Sequence, residues 1–293
     1  MLTDKMPFRP KEYFRAITVG EAVGLLKKFG RRAAVLAGGT DLLVVKPSHL
    51  EYLIDISRLP LDYIKKEGGG IRIGALATLN EIADSPLLNV EPYDVIAKST
   101  LDMGTPITKN YATIGGNICN AAPSADMPPS LIALEAEARI TGPRSKRKVL
   151  LENFFLGPKK TVLRRGEILT EIFVPKAPGG TKAVFFKKGR TSEDIAQVNV
   201  AVRLTVDGDI CKVARIVLGA VAPTPIRAKK AESLLVGKKL EEIAPSLEVV
   251  AKKAAEETKP ISDIRAPAEY RRAVAEVLTR RALLTLLERF KGG

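Results

Sequence analysis

The sequence contains no tryptophan, one histidine and two cysteines, and each scarcity excludes a class of site. Two thiols, Cys119 and Cys211, cannot supply the four thiolates of an iron–sulfur cluster or a cysteine-rich zinc site. His49, in the segment VVKPSHLEYL, would have to carry any histidine-based triad or metal site alone. The chain therefore has no predicted metal site and no predicted catalytic side chain, and we expect its chemistry to belong to a bound cofactor.

Aromatic residues are also few, at 5%, so the flat side chains on which nucleic-acid bases stack are scarce. The chain nevertheless has 47 Lys and Arg against 33 Asp and Glu, a net charge of +14. Such an excess is typical of proteins that bind nucleic acid, an anionic ligand or an acidic partner. The basic residues are scattered, with the longest cluster, RSKRK, at 144–148, and this scatter argues against nucleic acid as the partner.

Long apolar runs are missing as well. None approaches the ~20 residues of a transmembrane helix, and the segment MLTDKMPFRPKEYF lacks the apolar centre of a secretory signal. The sequence therefore predicts a cytoplasmic protein without a transmembrane segment. Its 293 residues suggest two domains, and the Pro- and Gly-rich stretch at 174–182 marks the boundary. We expect one domain at 1–177, with subdomains at about 1–58 and 59–177, and a second at 178–293.

Local signals predict a mixture of helices and strands. Thr18 and Glu21, three residues apart, form a capping box for a first helix. The glycines at 68–70 and the pair Asp207–Gly208 predict two hairpins. The segment 105–142 has a centre rich in Gly, Asn, Ala and Pro, which predicts a long irregular loop before the helix PPSLIALEA. After the boundary, the pattern indicates a small antiparallel sheet with about three helices.

Two glycine pairs are the candidate site. Gly38–Gly39 directly follows the predicted strand AAVL, and Gly115–Gly116 lies in TIGGN. Neither fits the Rossmann or the Walker pattern. Glycine lets an anion approach the main chain, successive amides converge into an anion-binding nest, and Thr40, Thr113 and Asn117 add side-chain donors. We therefore predict that bare main-chain amides of both motifs close around one diphosphate.

The stretches AGGTDLL and TIGGNICNAAPSADMPPSLIALEAEARI resemble the FAD-binding subunits of the molybdenum hydroxylases. That group includes the medium chain of aerobic carbon monoxide dehydrogenase and the flavin domain of xanthine dehydrogenase. The resemblance extends over nearly the whole chain, including FFKKGRTSEDIAQVNVAV. It implies a vanillyl-alcohol-oxidase-like (PCMH-type) α+β fold of two subdomains. A C-terminal domain of the carbon monoxide dehydrogenase flavoprotein type, with a small antiparallel sheet and a three-helix bundle, would follow.

The resemblance also implies roles for matching residues. Thr113, Gly116 and Asn117 would complete a grip on the FAD diphosphate that the first motif begins. Asp126 would bond toward the ribose or adenosine end, whereas Lys187, or its neighbour Lys188, would approach the isoalloxazine. The residues that the resemblance assigns to cofactor binding are Leu36, Ala37, Gly38, Gly39, Thr40, Asp41, Leu42, Thr113, Gly115, Gly116, Asn117, Cys119, Asn120, Asp126, Leu169 and Lys187.

The chain departs from the family pattern at several points. Lys109 stands where the family usually has the arginine of Q-I-R-N, and lysine lacks the planar fork of arginine. Two cysteines cannot hold the extra [4Fe-4S] cluster of the benzoyl-CoA reductase branch. His49 does not match the histidine that tethers flavin covalently in other proteins of this fold, so we expect non-covalent FAD.

By resemblance, the chain is an electron-transfer subunit of an oxidoreductase. A molybdenum-cofactor large subunit would oxidise the substrate, and a [2Fe-2S] small subunit would relay electrons to the FAD of this chain, in a dimer of heterotrimers. Two alternatives stay open: a stand-alone FAD-dependent oxidoreductase of the same fold, and a basic nucleic-acid-binding protein. The substrate stays open too, as does the electron acceptor, which could be NAD, a quinone, ferredoxin or oxygen.

Overall fold

The computed structural model describes residues 8–292, and its first unit is a three-stranded parallel sheet with a packed helix. At the start of that helix, the Thr18 hydroxyl accepts a hydrogen bond from the main-chain amide of Glu21. The helix ends at Gly30, which has a φ of 58°. The predicted first helix is therefore confirmed. The strands, in the sheet order β1-β3-β2, are Glu12–Arg15 (β1), Ala33–Leu36 (β2) and Tyr52–Asp55 (β3), and the helices are Val19–Phe29 (α1) and Leu42–Val45 (α2).

The second unit is an antiparallel five-stranded sheet. Gly68 and Gly69, at φ of 65° and 80°, form the turn of its first hairpin, so this predicted hairpin is confirmed. The strands are Ile64–Glu67 (β4), Gly70–Gly74 (β5), Glu137–Thr141 (β6), Lys146–Leu150 (β7) and Ile168–Pro175 (β10), in the order β4-β5-β10-β6-β7, while Phe155–Gly157 (β8) and Lys160–Thr161 (β9) form a separate ribbon. Two helices, Leu79–Asp84 (α3) and Asp94–Leu101 (α4), follow the first hairpin.

The segment 105–142 is more regular than the sequence predicted. It contains three short helices, Pro106–Tyr111 (α5), Ile114–Asn120 (α6) and Met127–Ala133 (α7), before β6. The hydroxyls of Thr105 and Thr113 accept the amides of Thr108 and Gly116, so each of the first two helices has a side-chain cap. The prediction of an irregular loop was wrong here because helices of one or two turns are too short to show an apolar period. The predicted helix in PPSLIALEA is confirmed as α7.

The third unit is a four-stranded antiparallel sheet covered by helices. Its long hairpin turns at Asp207 and Gly208, as the sequence predicts. The strands are Thr181–Lys188 (β11), Val198–Asp207 (β12), Ile210–Gly219 (β13) and Ile226–Arg227 (β14). The helices are Lys229–Ser233 (α8), Leu240–Ile243 (α9), Leu247–Glu256 (α10) and Ala268–Lys291 (α11), so a short fourth helix joins the three that the pattern indicates.

Both faces of β12 are buried, although apolar and polar side chains alternate along much of its sequence, VNVAVRLTVD. Ala201 packs into the core of the second unit, whereas Val200 and Val202 pack into the helix-covered core of the third. Arg203 of the same strand pairs with Glu135, which follows α7, so ionic contacts reinforce the packing. This interface holds the third unit against the unit that contains the second glycine motif.

Within residues 8–292, no helix has the combination of length and apolar character that crossing a bilayer requires. The same described residues contain no group of three or more histidine, cysteine or acidic side chains placed to hold a metal ion.

Candidate functional site

The two glycine motifs, which are 77 residues apart in sequence, line one cavity of about 520 Å³. That volume lies in the ~300–1,000 Å³ range of cofactor pockets. The β2–α2 loop forms one part of the lining, called the first wall, helix α6 forms another, called the second wall, and the start of β10 contributes the rest of the main contacts. The lining residues are Val35, Ala37, Gly38, Gly39, Thr40, Asp41, Leu42, Val45, Pro47, Ile56, Ala75, Ala112, Thr113, Gly115, Gly116, Asn117, Cys119, Asn120, Lys159, Leu163, Glu167, Ile168 and Leu169.

The first motif forms a tight loop with free main-chain donors. In the described part of the chain, the consecutive amides of residues 38–42 donate to no protein acceptor. Gly39 has a φ of 71°, a backbone conformation that residues other than glycine rarely adopt. A Cβ on Gly38 would lie 1.6 Å from the carbonyl oxygen of Tyr111, so only glycine permits the loop to approach the end of α5 this closely. The loop therefore has the consecutive unbonded amides that an anion-binding nest needs.

The second motif has a different structure, although its sequence looks similar. The amides of Ile114 and Gly115 donate to the carbonyls of Ala77 and Ala75, and the Gly116 and Asn117 amides donate to the hydroxyl and carbonyl of Thr113. The prediction of bare amides in both motifs was wrong for this one, because it starts a capped helix whose first four amides already have protein acceptors. Its contribution to the cavity is instead the open surface of Gly116 and the side chains that follow.

Three side chains of α6 reach the cavity. The Asn117 carbonyl oxygen is buried and has no hydrogen-bond partner within residues 8–292, while its amide nitrogen lies 3.7 Å from the sulfur of Met103. The Asn120 carbonyl oxygen accepts the Lys159 ammonium at 2.6 Å. Burial raises the pKa of the Cys119 thiol to about 12, so this thiol is neutral at physiological pH. The helix thus offers an uncharged wall, and the Asn117 oxygen is too deeply buried to be reached from the cavity.

Asp126 and Lys187 do not line this cavity but pair with each other. Their side chains, each 4% exposed, approach to 2.7 Å, and Asp126 also accepts the Asn199 amide at 2.6 Å. Burial raises the pKa of Asp126, and the nearby Lys187 ammonium opposes that rise. The two side chains therefore lie together, and the part of the cofactor that each would face stays a prediction. Lys188, the alternative, is exposed.

The remaining differences between predicted and observed lining residues follow from chain geometry. Leu36, the last residue of β2, lies behind the loop, where a Cβ on Gly39 would meet its Cδ1 atom at 3.2 Å. Glu167 and Ile168 directly precede the predicted Leu169, so their position in sequence was a usable signal. Ile56 and Ala75 come from the ends of distant strands and carry no local signal. Thirteen of the sixteen predicted residues line the cavity, and Leu36, Asp126 and Lys187 do not.

Comparison with known proteins assigns both halves of the chain to families. Residues 6–177 match the family described as the FAD binding domain in molybdopterin dehydrogenase. Residues 183–286 match the family described as the CO dehydrogenase flavoprotein C-terminal domain.

Individual relatives agree with this assignment over nearly their full length. The carbon monoxide dehydrogenase medium chain of Hydrogenophaga pseudoflava is 36% identical over 276 residues, covering 93% of this chain and 95% of that one. The glyceraldehyde dehydrogenase medium chain of Sulfolobus acidocaldarius is 33% identical over 277 residues, covering 92% and 96%.

A solved structure shares the architecture described above. A chain in the crystal structure of a cyanide-inactivated Cu,Mo-CO dehydrogenase superposes with a TM-score of 0.90 and 35% identity, covering 97% of this chain and 99% of that one. The likeness confirms the predicted fold class, an α+β PCMH-type unit followed by a smaller C-terminal sheet with helices. The chain belongs to the family of FAD-binding medium subunits of the molybdenum hydroxylases.

Proposed function

We propose that this chain is the electron-transferring flavoprotein subunit of a molybdenum hydroxylase complex, in which electrons enter from [2Fe-2S] clusters on a small subunit and leave to an external acceptor. The observation that carries the proposal is the single cavity that both glycine motifs line. The curated relatives are medium chains of multi-subunit dehydrogenases, which supports a place beside a small and a molybdenum-containing large subunit. A dimer of such heterotrimers in the cytoplasm is the assembly that we propose.

The residues present fit FAD. The free amides of residues 38–42 offer consecutive donors for diphosphate oxygens, and the absence of a Cβ at Gly116 leaves room beside them. Val35, Leu163 and Leu169 supply an apolar surface for the ring system.

The chemistry of the site belongs to the cofactor, since bound FAD supplies one- and two-electron transfer. The chain's own residues bind and orient it, and no side chain is required as an acid or base. We propose that the attachment is non-covalent. Cys119 is the one nucleophilic thiol in the lining, and burial keeps it protonated, while His49 is exposed outside the lining.

The test is reconstitution followed by assembly. The purified full-length chain, stripped of flavin, is titrated with FAD and followed by flavin absorbance and fluorescence. We expect saturation at one FAD per chain, released intact on denaturation because the bond is non-covalent. A chain that acquires no flavin bands would contradict the proposed function.

Partnership is tested separately by co-expression with the coding sequences that flank this one. We expect the chain to copurify with a cysteine-rich ferredoxin-like chain and a very large chain. Flavin reduction by a substrate in the isolated chain, with no partner present, would favour the stand-alone oxidoreductase instead.

A further inference from the structure

A second cavity, of about 540 Å³, adjoins the cofactor cavity and is bordered by basic side chains from three separate segments. Lys27 lies in the last turn of α1, Arg144 in the β6–β7 turn, and Arg164 and Arg165 in the turn before β10. The surface is called the basic groove below. Arg144 and Ser145, the first two residues of the RSKRK cluster, lie in the basic groove, and cofactor binding gives this cluster no role. Its lining residues are Lys27, Gly142, Pro143, Arg144, Ser145, Arg164, Arg165 and Glu167.

The positive charge of the basic groove is not neutralised within the chain. None of its four basic side chains has a carboxylate within 4.0 Å among residues 8–292. The one acidic residue, Glu167, is already held by the Arg147 guanidinium, with contacts of 2.8 and 2.7 Å. The Arg147 contacts hold the pKa of Glu167 below its usual range, so its charge is matched. Four cations therefore remain for an external anion.

Close packing fixes the shape of the basic groove. Gly166 is buried with a φ of 80°, and a Cβ there would meet Pro143 at 3.0 Å and Lys27 at 3.3 Å. The Arg165 guanidinium donates to the carbonyl oxygen of Lys27 at 3.1 Å. The turn before β10 is thus tied to both α1 and the β6–β7 turn, and the cations are brought together by the fold.

The lining indicates what kind of partner the basic groove suits. It contains no aromatic side chain on which a nucleotide or nucleic-acid base could stack, and its only apolar ring is Pro143. Permanent subunit interfaces are rich in apolar surface, whereas brief electron-transfer encounters are small and steered by charge. A charged, aromatic-free groove therefore fits the acidic surface of a transient protein partner.

The basic groove also lies beside the proposed path of electrons. Glu167 lines both cavities, and Leu169, two residues further on, lines the cofactor cavity. Building on the proposed function, we propose that the basic groove is the docking surface for an acidic one-electron carrier protein, the external electron acceptor. Two copies of that carrier, docking in turn, accept the two electrons of one reduced flavin, which returns to the oxidised state while its protons pass to water.

The experiment measures binding of an acidic plant-type [2Fe-2S] ferredoxin, labelled for fluorescence anisotropy, to the full-length chain. Basic cytochrome c is the control ligand. We expect ferredoxin to bind and cytochrome c not to bind, with ferredoxin affinity falling steeply as NaCl rises from about 50 to about 500 mM. In Arg144→Glu/Arg164→Glu we expect affinity to fall on the order of tenfold or more, mainly through slower association. Flavin content is measured in every variant.

A matched variant separates a local site from net charge. Lys238→Glu/Lys252→Glu makes the same charge change at two exposed lysines outside both cavities, and we expect its affinity within about twofold of the unmodified chain. The proposal would be overturned if both variants lost affinity equally or if ferredoxin did not bind. It would also be overturned if ATP below about 1 mM displaced ferredoxin, or if the chain bound anionic vesicles instead of ferredoxin. Ferredoxin docking requires no flavin, so a flavin-free chain would refute the proposed function without deciding this result.

Discussion

The two glycine motifs of this chain look alike in sequence and differ in structure. After β2, the amides of residues 38–42 have no protein acceptor in the described range, and Gly39 adopts a left-handed conformation. In α6, the amides of residues 114–117 are all bonded, and the Thr113 hydroxyl caps the helix. A Gly-Gly pair beside a threonine is therefore not enough to identify an anion nest.

The two walls of the cofactor cavity therefore differ in what they can contribute to cofactor binding. The first wall has unbonded amides that could donate to an anion, and the second has an open surface at Gly116. The individual glycines also differ in role, and this difference does not follow the division between the motifs. Gly38 and Gly115 are required for packing against neighbouring main chain, with Cβ positions 1.6 Å from Tyr111 and 2.6 Å from Ala75 carbonyl oxygens, whereas Gly116 meets only the Thr113 hydroxyl at 3.1 Å.

The largest effect is expected at Gly38. In Gly38→Ala the new methyl would overlap the Tyr111 carbonyl, so the loop must move, and the free energy of unfolding should fall by about 3 kcal/mol with loss of FAD binding. Urea denaturation and flavin titration measure the two effects. Gly24→Ala, on α1 with nothing within 4 Å of the added carbon, is the control and should gain about 0.5–1 kcal/mol. A Gly38→Ala chain with unchanged stability would show that the loop does not need this close approach.

Gly116→Val should separate cofactor binding from folding. The added side chain meets little protein and projects from an exposed position in the cavity lining, so stability should change by less than about 1 kcal/mol. Steric overlap with the cofactor that costs about 1–3 kcal/mol of binding free energy would raise the Kd for FAD by about five- to 150-fold. Titration of the variant with FAD measures this. An unchanged Kd would mean that the second wall does not contact the cofactor.

Thr113→Ala should have a smaller effect, and mainly on stability. Loss of the cap leaves the Gly116 amide unsatisfied and should cost about 1 kcal/mol of unfolding free energy, which Thr113→Ser should restore. FAD affinity should change less than stability, because the hydroxyl is already used inside the helix. A large rise in the Kd for FAD at unchanged stability would make Thr113 a direct ligand and would remove the difference between the two motifs.

The smallest expected signal is the reactivity of Cys119. If the amides of α6 were unbonded, they would lower the pKa of the nearby Cys119 thiol. Burial instead raises the pKa of this thiol to about 12. Alkylation needs the thiolate, so iodoacetamide should modify Cys119 negligibly at about pH 8 and faster only as pH rises toward that value. Mass spectrometry of the native chain, with urea-unfolded chain as the control, measures the rate. Rapid labelling at neutral pH would indicate an electropositive second wall.

Much of the fold could be predicted because its signals are local. Only a few neighbouring residues determine the helix cap at Thr18 and the turns at Gly68–Gly70 and Asp207–Gly208, and the structure contains all three features. Helices α5 and α6 were missed because capping residues alone, without an apolar period, do not distinguish a short helix from a loop. The contact between Asp126 and Lys187 joins positions 61 residues apart, which no local pattern could supply.

Amide hydrogen exchange, compared with and without FAD, is the most direct test of how the cofactor is held. Exchange protection reports whether an amide is already bonded. The amides of residues 38–42 should exchange fast in the flavin-free chain and slow by more than about tenfold when FAD binds, whereas those of 114–117 should be protected in both states. If FAD instead protects 114–117 and leaves 38–42 unchanged, the first motif is not the diphosphate nest.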